Sequence, residues 1–511
     1  MFNSWTLKVR DFGKISKADI RVTPFMMLVG ENNSGKSYIL ELLWGVFKNL
    51  NSLFKNQFDE DRDFIDLCSK LNEKIKNSVT YDIWEQDSIT TIDINEEQQK
   101  KLMEILNRSL KKEKDWLVKE IFNHSMEIGS LEILRDMFYN LKVEISMQNI
   151  LSTEIVKKDG ADEGQEVSVS KKAFFFQLLL YDPNEKEEED LFLYVADTNN
   201  AIVEGAARAV MLRIATMLVC RGFSDSRSLM LSRKSSRKRS VQLETPVYFP
   251  ASRTGFMHTY QSIISNQNQI FKEMLKNSEL IKLFGQNSAT NPALRLTAPV
   301  NDFLEKLSDI YIDEDQQTRY AEELSFLKQK IFNGTITKDQ AQDIQFVPEQ
   351  GKGIPLHVTS SLVAELAPLS LFLESQYDPQ LLIIEESESH LHVGKQLELV
   401  RLFFRLINKG KAIWLTTHSD SFAQQVNNLL TLSRHPQKEK LFSELGYEAA
   451  DTLSDIASSS CYQFYKSPEG NTIVEEVELG EYGYAIPTFN SVLEKLLNET
   501  VKIQDFGDKD D

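Results

Sequence analysis

A phosphate-binding loop lies near the start of the chain, at Gly30–Ser37, after the apolar run Phe25–Val29 and before a helical pattern. Its glycines let backbone N–H groups turn towards the phosphates of a nucleotide, and the dipole of the following helix adds to the attraction. Lys36 is expected to reach the β- and γ-phosphate oxygens, and the Ser37 hydroxyl to ligate Mg²⁺. The loop therefore predicts a nucleoside triphosphate site, whose binding residues are Gly30, Asn32, Asn33, Ser34, Gly35, Lys36 and Ser37.

A distant apolar run supplies the acidic element that such a loop requires. Leu381–Ile384 predicts a buried strand of a parallel sheet, and Glu385 and Glu386 follow it directly. We expect Glu385 to lie near the metal ion and Glu386 to orient or deprotonate the attacking water. The alternative is a strand that ends in two solvated glutamates, and the phosphate-binding loop argues against it.

Two further side chains are candidates for this site. His418 follows the apolar strand Ala412–Leu415, about thirty residues beyond the acidic pair, which is the order expected of a histidine that senses the γ-phosphate. A lone histidine is more often structural, so the order of the motifs is what favours the catalytic interpretation. Arg253 follows another short apolar strand, and it is either an arginine next to the site or part of a structural salt bridge.

The composition is that of an ordinary globular protein of 511 residues, long enough for more than one structural unit. A net charge of −18 excludes a basic surface over the whole molecule for nucleic acid. One basic segment, Arg233–Arg239, is either a phosphate contact or a solvated loop. The three separated cysteines favour a reducing cytoplasm, and the apolar runs are too short to span a membrane.

The order of the patterns predicts an α/β fold with a mixed and parallel sheet and flanking helices. Leu50–Gln99 is polar and irregular, whereas Lys100–Phe122 has helical spacing. Residues 256–352 become charged and helical, which predicts a short helical arm inserted into the sheet domain. We therefore divide the chain into residues 1–255, the arm 256–352 and residues 353–511.

The combined pattern resembles the ABC-type ATPase heads of the SMC-like and overcoming-lysogenisation-defect (OLD) branch. The resemblance includes Val358–Leu369, which is similar to the signature segment of such heads. It implies that Ser360 and Ser361 bind the γ-phosphate of an opposing protomer. The pattern departs from the branch at Leu362, where glycine is common, and at Ser387 and Val393, where proline is usual. The other matching segments are Gly30–Ser37, Pro250–Gly255, Leu381–Gln396 and Trp414–Asn428.

The resemblance implies ATP and Mg²⁺ as cofactors and a homodimer or higher homo-oligomer as the active form. Heads with short arms resemble the ATPase components of bacterial antiphage systems such as Septu and PARIS, which implies a regulatory subunit. It would control a separate nuclease or toxin, with DNA or a phage protein as a further candidate ligand and no membrane contact. The alternatives are a self-contained OLD-like nuclease, for which the late Asp508–Asp510 segment is a poor metal site, and an SMC-like DNA repair ATPase.

Overall fold

The computed structural model describes residues 5–57, 60–78, 89–135, 137–138, 140–156, 165–181, 193–196, 200–220, 246–259, 296–312, 314–338 and 344–507. The basic segment Arg233–Arg239 and the segment Asp508–Asp510 lie outside these residues. The chain forms two compact units. Unit 1 comprises Met1–Phe47, Lys114–Ser130 and Thr245–Asp511, and unit 2 comprises Lys48–Glu113 and Leu131–Glu244.

The strands are distributed along the whole chain. They are β1 (Thr6–Phe12), β2 (Ile15–Arg21), β3 (Phe25–Gly30), β4 (Ile89–Ile94), β5 (Ile128–Leu134), β6 (Asn140–Val156), β7 (Gln165–Tyr181), β8 (Leu193–Ala196), β9 (Val247–Phe249), β10 (Gly334–Lys338), β11 (Ile344–Pro348), β12 (Ile354–Pro355), β13 (Leu381–Ile384), β14 (Ala412–Thr417), β15 (Ser459–Lys466), β16 (Thr472–Glu476), β17 (Leu479–Gly480) and β18 (Gly483–Tyr484).

The helices alternate with these strands. They are α1 (Lys36–Gln57), α2 (Arg62–Ser78), α3 (Glu96–Phe122), α4 (Asn200–Cys220), α5 (Ala298–Asp309), α6 (Glu314–Arg319), α7 (Ala321–Phe326), α8 (Ser361–Leu373), α9 (Val393–Asn408), α10 (Asp420–Arg434), α11 (Lys438–Leu445) and α12 (Pro487–Gly507), with a π-helical turn at Leu327–Phe332 and short 3₁₀ turns at Leu356–Val358, Ala449–Asp451 and Ile456–Ser458. Among the described helices, none is both long enough and apolar enough to cross a bilayer.

The largest sheet in the described part of the chain has nine strands, in the order β5-β1-β2-β16-β15-β3-β14-β13-β9. The pairs β15–β3, β3–β14, β14–β13 and β13–β9 are parallel, whereas the pairs β1–β2 and β15–β16 are antiparallel. The central strands β3, β13 and β14 are buried at every residue, which is why they appear in the sequence as continuous apolar runs. The predicted α/β fold with a mixed sheet and flanking helices is confirmed.

Unit 2 has its own sheet, in which β4, β6, β7 and β8 are antiparallel. Strands β6 and β7 pair along their whole length, from Asn140 opposite Tyr181 to Val156 opposite Gln165. A charged cluster links its helices, because Arg108 donates hydrogen bonds to Asp61 and Asp63. Both segments of unit 2 lie within residues 1–255, which we predict to be one continuous N-terminal part.

The segment 256–352, which we predict to be an inserted arm, belongs to unit 1. Its described part includes α5 and the strands β10 and β11, and β11 pairs with β12, which lies just beyond the segment. Phe303, Leu307 and Leu327 are fully buried in the same hydrophobic core as Phe249 of the large sheet. Burial of these apolar faces stabilises the segment against the sheet. The division at residues 255 and 352 stays a prediction.

Candidate active site

The phosphate-binding loop joins the end of β3 to the start of α1. Gly30 and Gly35 have φ angles of +139° and +95°, which L side chains rarely adopt. A Cβ atom on Gly30 would also lie 2.2 Å from the carbonyl oxygen of Phe464 on β15. Both glycines are therefore required by the path of the backbone. Of the other predicted nucleotide-binding residues, Ser34 is buried whereas Asn32, Asn33 and Ser37 are exposed.

The Lys36 ammonium lies inside this loop. Its Nζ donates hydrogen bonds to the carbonyl oxygens of Glu31 at 2.7 Å and Gly30 at 3.1 Å. The Ser34 hydroxyl in turn donates to the Glu31 carbonyl at 2.7 Å. Burial lowers the pKa of Lys36 to about 8, and nearby carboxylates, Glu386 first among them, oppose that shift. Lys36 therefore stays mostly protonated at pH 7 and provides a positive charge in the loop.

Glu385 follows β13 directly and is buried. One carboxylate oxygen, Oε2, accepts a hydrogen bond from the backbone N–H of Ala251 at 3.0 Å. The other, Oε1, is buried and accepts no hydrogen bond of normal distance and angle from the described residues, although the Tyr248 hydroxyl interacts with the same carboxylate. A buried carboxylate oxygen of this kind can accept a metal ion or a metal-bound water, since hard cations prefer oxygen ligands.

Glu386 adopts a left-handed backbone conformation, with φ of +42°. A residue with a side chain in this region stores strain, on the order of 1–3 kcal/mol, that surrounding contacts must offset. Its N–H donates to Thr416 Oγ1 at 2.8 Å, and its carbonyl oxygen accepts from Arg253 Nη2 at 3.2 Å. The carboxylate accepts from the Ser389 hydroxyl at 3.0 Å. These contacts fix the direction of a half-buried carboxylate at the end of the strand.

Arg253 is buried and forms an ion pair with Glu365 of α8, so the salt-bridge interpretation of this residue is correct. The same guanidinium also donates to the carbonyl oxygen of Glu385, from Nη1 at 2.6 Å, and to that of Glu386. Burial lowers the pKa of Arg253, while Glu365 and the acidic pair raise it. The Arg253 side chain therefore contacts the backbone, and not the carboxylates, of the two glutamates after β13.

His418 follows β14 and is half-buried. Its backbone N–H donates to Glu388 Oε1 at 2.5 Å. Burial lowers the pKa of His418, the Lys36 charge lowers it further, and Glu386 opposes both. The imidazole is therefore mainly neutral at pH 7, and it shares its electrostatic surroundings with Lys36 and Glu386.

Sequence reasoning missed two carboxylates of this site, the half-buried Glu388 and the buried Glu41. Burial raises the pKa of Glu388, against the hydrogen bond from His418. Burial and the neighbouring Glu385 raise the pKa of Glu41 to about 8, and Thr297 donates a hydrogen bond to it at 3.2 Å. Glu388 stands two residues after Glu386, and Glu41 stands one helical turn after Ser37, so spacing relative to the motifs is the signal that could have identified them.

Ser360 and Ser361 lie at the N-terminal end of α8 and are exposed. Ser360 caps this helix, because its hydroxyl accepts from the N–H of Val363 at 3.5 Å. Among the described residues, its hydrogen bonds stay within α8, and none joins it to the phosphate-binding loop. Lys36 interacts electrostatically with Glu385 and Glu386, and His418 with Lys36 and Glu386, so these four residues form one electrostatic group. The two serines are not part of it.

The donor set of this group fits a nucleotide phosphate with a divalent cation. Lys36 supplies positive charge, the exposed Ser37 hydroxyl supplies a neutral oxygen, and Glu385 supplies the buried carboxylate oxygen described above. Within the described part of the chain, no three His, Cys, Asp or Glu side chains form a metal-holding cluster. The assignment of Ser37 and Glu385 as the protein contacts of Mg²⁺ stays a prediction.

Comparison with solved structures finds heads of SMC proteins. The Smc head bound to the C-winged helix domain of ScpA is 12% identical, with 94% of this chain and 99% of that chain covered and a TM-score of 0.33. An Smc head with an extended coiled coil bound to the C-terminal domain of ScpA, from Pyrococcus furiosus, is 11% identical, with 97% and 99% covered and a TM-score of 0.31. The SMC head domain from Thermotoga maritima is 10% identical, with 93% and 100% covered and a TM-score of 0.30.

Likenesses of that size carry no inference about mechanism, and a comparison with curated protein sequences finds no match. The family assignment therefore depends on the sequence itself. Residues 5–423 match the family described as AAA ATPase domain, and this range includes the phosphate-binding loop, the acidic pair and His418. The chain therefore belongs to the AAA ATPase domain family and is an ATPase.

Proposed function

We propose that this ATPase is an SMC-like regulatory subunit that dimerises through ATP and controls a separate effector, a nuclease or a toxin, in the bacterial cytoplasm during antiphage defence. The observation that supports the proposal best is the division of the site. Lys36, Glu385, Glu386 and His418 share one electrostatic environment, whereas Ser360 and Ser361 are exposed at a helix N-terminus. A site divided in this way is suited to completion by a second protomer.

In the proposed reaction each residue of the electrostatic group has its own role. Lys36 and the loop N–H groups hold the β- and γ-phosphates, and Ser37 and Glu385 hold Mg²⁺. Mg²⁺, when bound, neutralises phosphate charge. Glu386 accepts a proton from the attacking water or orients that water, and the neutral His418 imidazole is placed to respond to the γ-phosphate.

The position of α8 supports the proposed dimerisation. The first N–H groups of a helix attract anions, and at α8 this end is exposed and begins with two serines. The phosphate that this end would bind belongs to ATP held by a second copy of the chain. ATP bound to both protomers then stabilises a head-to-head dimer, and hydrolysis releases it.

The effector in the proposal comes from the resemblance to Septu-like and PARIS-like ATPases. ATP-driven closure of two heads changes which surfaces of the pair are accessible, and a partner that binds only one state responds to that change. DNA or a phage protein would be the signal. Purification of the natively expressed chain followed by mass spectrometry tests this part, and recovery of no nuclease or toxin from infected or uninfected cells would contradict it.

The ATPase site is tested by Glu386→Gln. This change keeps the shape of the side chain and removes the base, so we expect retained ATP binding with turnover lowered about 10²–10⁴-fold. Glu439→Gln on the exposed start of α11 is the matched control, and it should turn over ATP like the wild type. Wild-type turnover by the Glu386→Gln protein would show that the acidic strand end is assigned wrongly.

The shared site is tested by mixing two inactive proteins. Lys36→Ala removes the positive charge of one loop, and Ser360→Arg with Ser361→Arg blocks the helix end of the other protomer. A mixed dimer retains one intact site, so we expect recovery of up to half of the wild-type turnover per dimer. No recovery while subunit exchange is detectable would indicate a site completed within one chain.

A further inference from the structure

The segment 250–254 connects the acidic strand end to α8. The backbone N–H of Ala251 holds the Glu385 carboxylate, and the Arg253 guanidinium donates to the carbonyl oxygens of both Glu385 and Glu386. The same guanidinium forms the ion pair with Glu365. One arginine thus contacts the backbone of the proposed catalytic carboxylate and a side chain of the proposed signature helix.

Glu365 is well placed within α8 for such a link. It lies four residues after Ser361, which is about 6 Å along the helix axis, so it moves with the exposed helix end. Its second carboxylate oxygen accepts a hydrogen bond from Thr254, and its side chain is fully buried. The Arg253 side chain is only 2% exposed. A buried pair of this kind depends strongly on geometry, because neither charge can be solvated when the other shifts.

The strained backbone of Glu386 makes the acidic end sensitive to Arg253. A residue held at φ of +42° keeps that conformation only while its neighbours determine it, and Arg253 and Thr416 hold its two backbone groups. The planar guanidinium donates from two separate nitrogen atoms to acceptors on different sides, whereas the donors of a lysine all lie on one nitrogen atom. A displacement of Glu365 would therefore reach the Glu386 carboxylate through a single side chain.

We propose that Arg253 and Glu365 are positioning residues that couple the exposed end of α8 to Glu386. The proposal rests on the proposed function, in which that helix end binds the ATP of a partner protomer. Binding shifts α8, the shift moves the Arg253 guanidinium, and the Glu386 carboxylate reaches its working position. Neither residue touches the nucleotide in this scheme, and ATP turnover responds to dimerisation because of them.

The variants Glu365→Gln and Arg253→Lys test the coupling. Glu365→Gln keeps the size of the side chain and an acceptor for Thr254 but removes the ion pair. Because small misplacement of a reacting group lowers its rate strongly, we expect kcat to fall about 10- to 100-fold. The KM for ATP and the ATP-driven dimer should remain within about 2-fold of the wild type, since no phosphate contact is lost. Arg253→Lys should have the same effect.

Asp378→Asn is the matched control, since Asp378 forms another buried ion pair, with Lys411, outside this connection. It should lower the melting temperature and leave kcat of the folded protein unchanged. In the Glu386→Gln background, Glu365→Gln should add no further loss of turnover, because both act through one carboxylate. Should Arg253→Lys not fold, Thr254→Val provides a milder second test through the same Glu365 carboxylate.

The outcomes distinguish a failure of the coupling from a failure of the proposed function. Wild-type kcat in Glu365→Gln, or equal losses in Glu365→Gln and Asp378→Asn, would overturn the coupling while leaving Glu386 as the base. An additive loss in the double variant would overturn it as well. Full turnover by Glu386→Gln alone would instead refute the proposed function on which the coupling rests.

Discussion

Substitution of Gly30 by alanine tests the geometry that places the phosphate-binding loop. The added Cβ would lie 2.2 Å from the carbonyl oxygen of Phe464 and 3.0 Å from its carbonyl carbon. Both are backbone atoms of β15, and Phe464 is the partner of Gly30 in the parallel pairing with β3. Because no flexible side chain can move aside, either the strand pairing or the start of the loop has to shift.

The expected loss has two parts. The φ angle of +139° costs an alanine about 1–2 kcal/mol. Overlap with a fixed neighbour in a well-packed core costs about 1–3 kcal/mol more. We therefore expect the free energy of unfolding to fall by about 2–5 kcal/mol. ATP affinity should fall as well, because the loop N–H groups no longer converge on one point.

Gly470→Ala provides the matched control. Gly470 has a φ angle of +89° in the turn that follows β15, but nothing lies within 4 Å of the position of its Cβ. It should lose only the conformational part, about 1–2 kcal/mol, and keep ATP affinity. Urea denaturation followed by tryptophan fluorescence gives both free energies, and titration with a fluorescent ATP analogue gives the affinities. Equal losses in the two variants would refute the role assigned to the Phe464 carbonyl.

Three further predictions concern buried polar groups. Thr416→Val removes the acceptor of the Glu386 N–H, so we expect about 1–3 kcal/mol of lost stability and a lower kcat, measured by denaturation and phosphate release. For Glu41, whose pKa is raised to about 8, ionisation of the unfolded state above pH 4.5 lowers wild-type stability. The free energy of unfolding of Glu41→Gln, relative to that of the wild type, should therefore increase by about 3–4 kcal/mol as the pH rises from 5 to 8. A difference that does not change with pH would contradict this. Asp451→Asn weakens the buried contacts with Arg401 and Arg405 and should cost about 3–5 kcal/mol in urea denaturation, with unchanged turnover by the folded protein.

The central strands could be predicted because a strand that is buried on both faces has apolar residues at successive positions. Leu381–Ile384 and Ala412–Leu415 are continuous apolar runs, and both are strands with every residue buried. The phosphate-binding loop could be predicted as well, since its glycines adopt positive φ angles that other residues rarely adopt. Lys100–Phe122 lies within α3, as its helical spacing predicts.

The assignment of Leu50–Gln99 as irregular was wrong over much of its length. Helix α2 occupies Arg62–Ser78, and strand β4 begins at Ile89. The buried side chains of α2 stand at near-helical spacing, so the signal was present although polar residues diluted it. These side chains are Phe64, Leu67, Leu71 and Ile75.

The contacts around the acidic pair could not be predicted, because they join residues far apart in the sequence. Glu365 and Arg253 are separated by more than one hundred positions, and neither belongs to a motif of known spacing with the other. Glu41 appears in the sequence as an ordinary polar residue of a helix. Its raised pKa arises first from burial and second from the nearby charge of Glu385, and both exist only in the folded chain. The spacing of Glu41 from Ser37 connects it with the phosphate-binding loop, but contains no information about its burial or its distance from Glu385.

The charges of the site explain why the proposal pairs ATP with Mg²⁺. Glu31, Glu385, Glu386 and Glu388 all act on Lys36, which is the positive charge that the loop itself supplies. The guanidinium of Arg253 is already paired with Glu365 and donates hydrogen bonds to backbone carbonyl oxygens. A nucleotide triphosphate brings several further negative charges into this environment, where a low dielectric strengthens their repulsion. The single charge of Lys36 is smaller than the charge of the phosphates, and a divalent cation held by Ser37 and Glu385 would offset the difference, so the proposed binding of ATP depends on the cation.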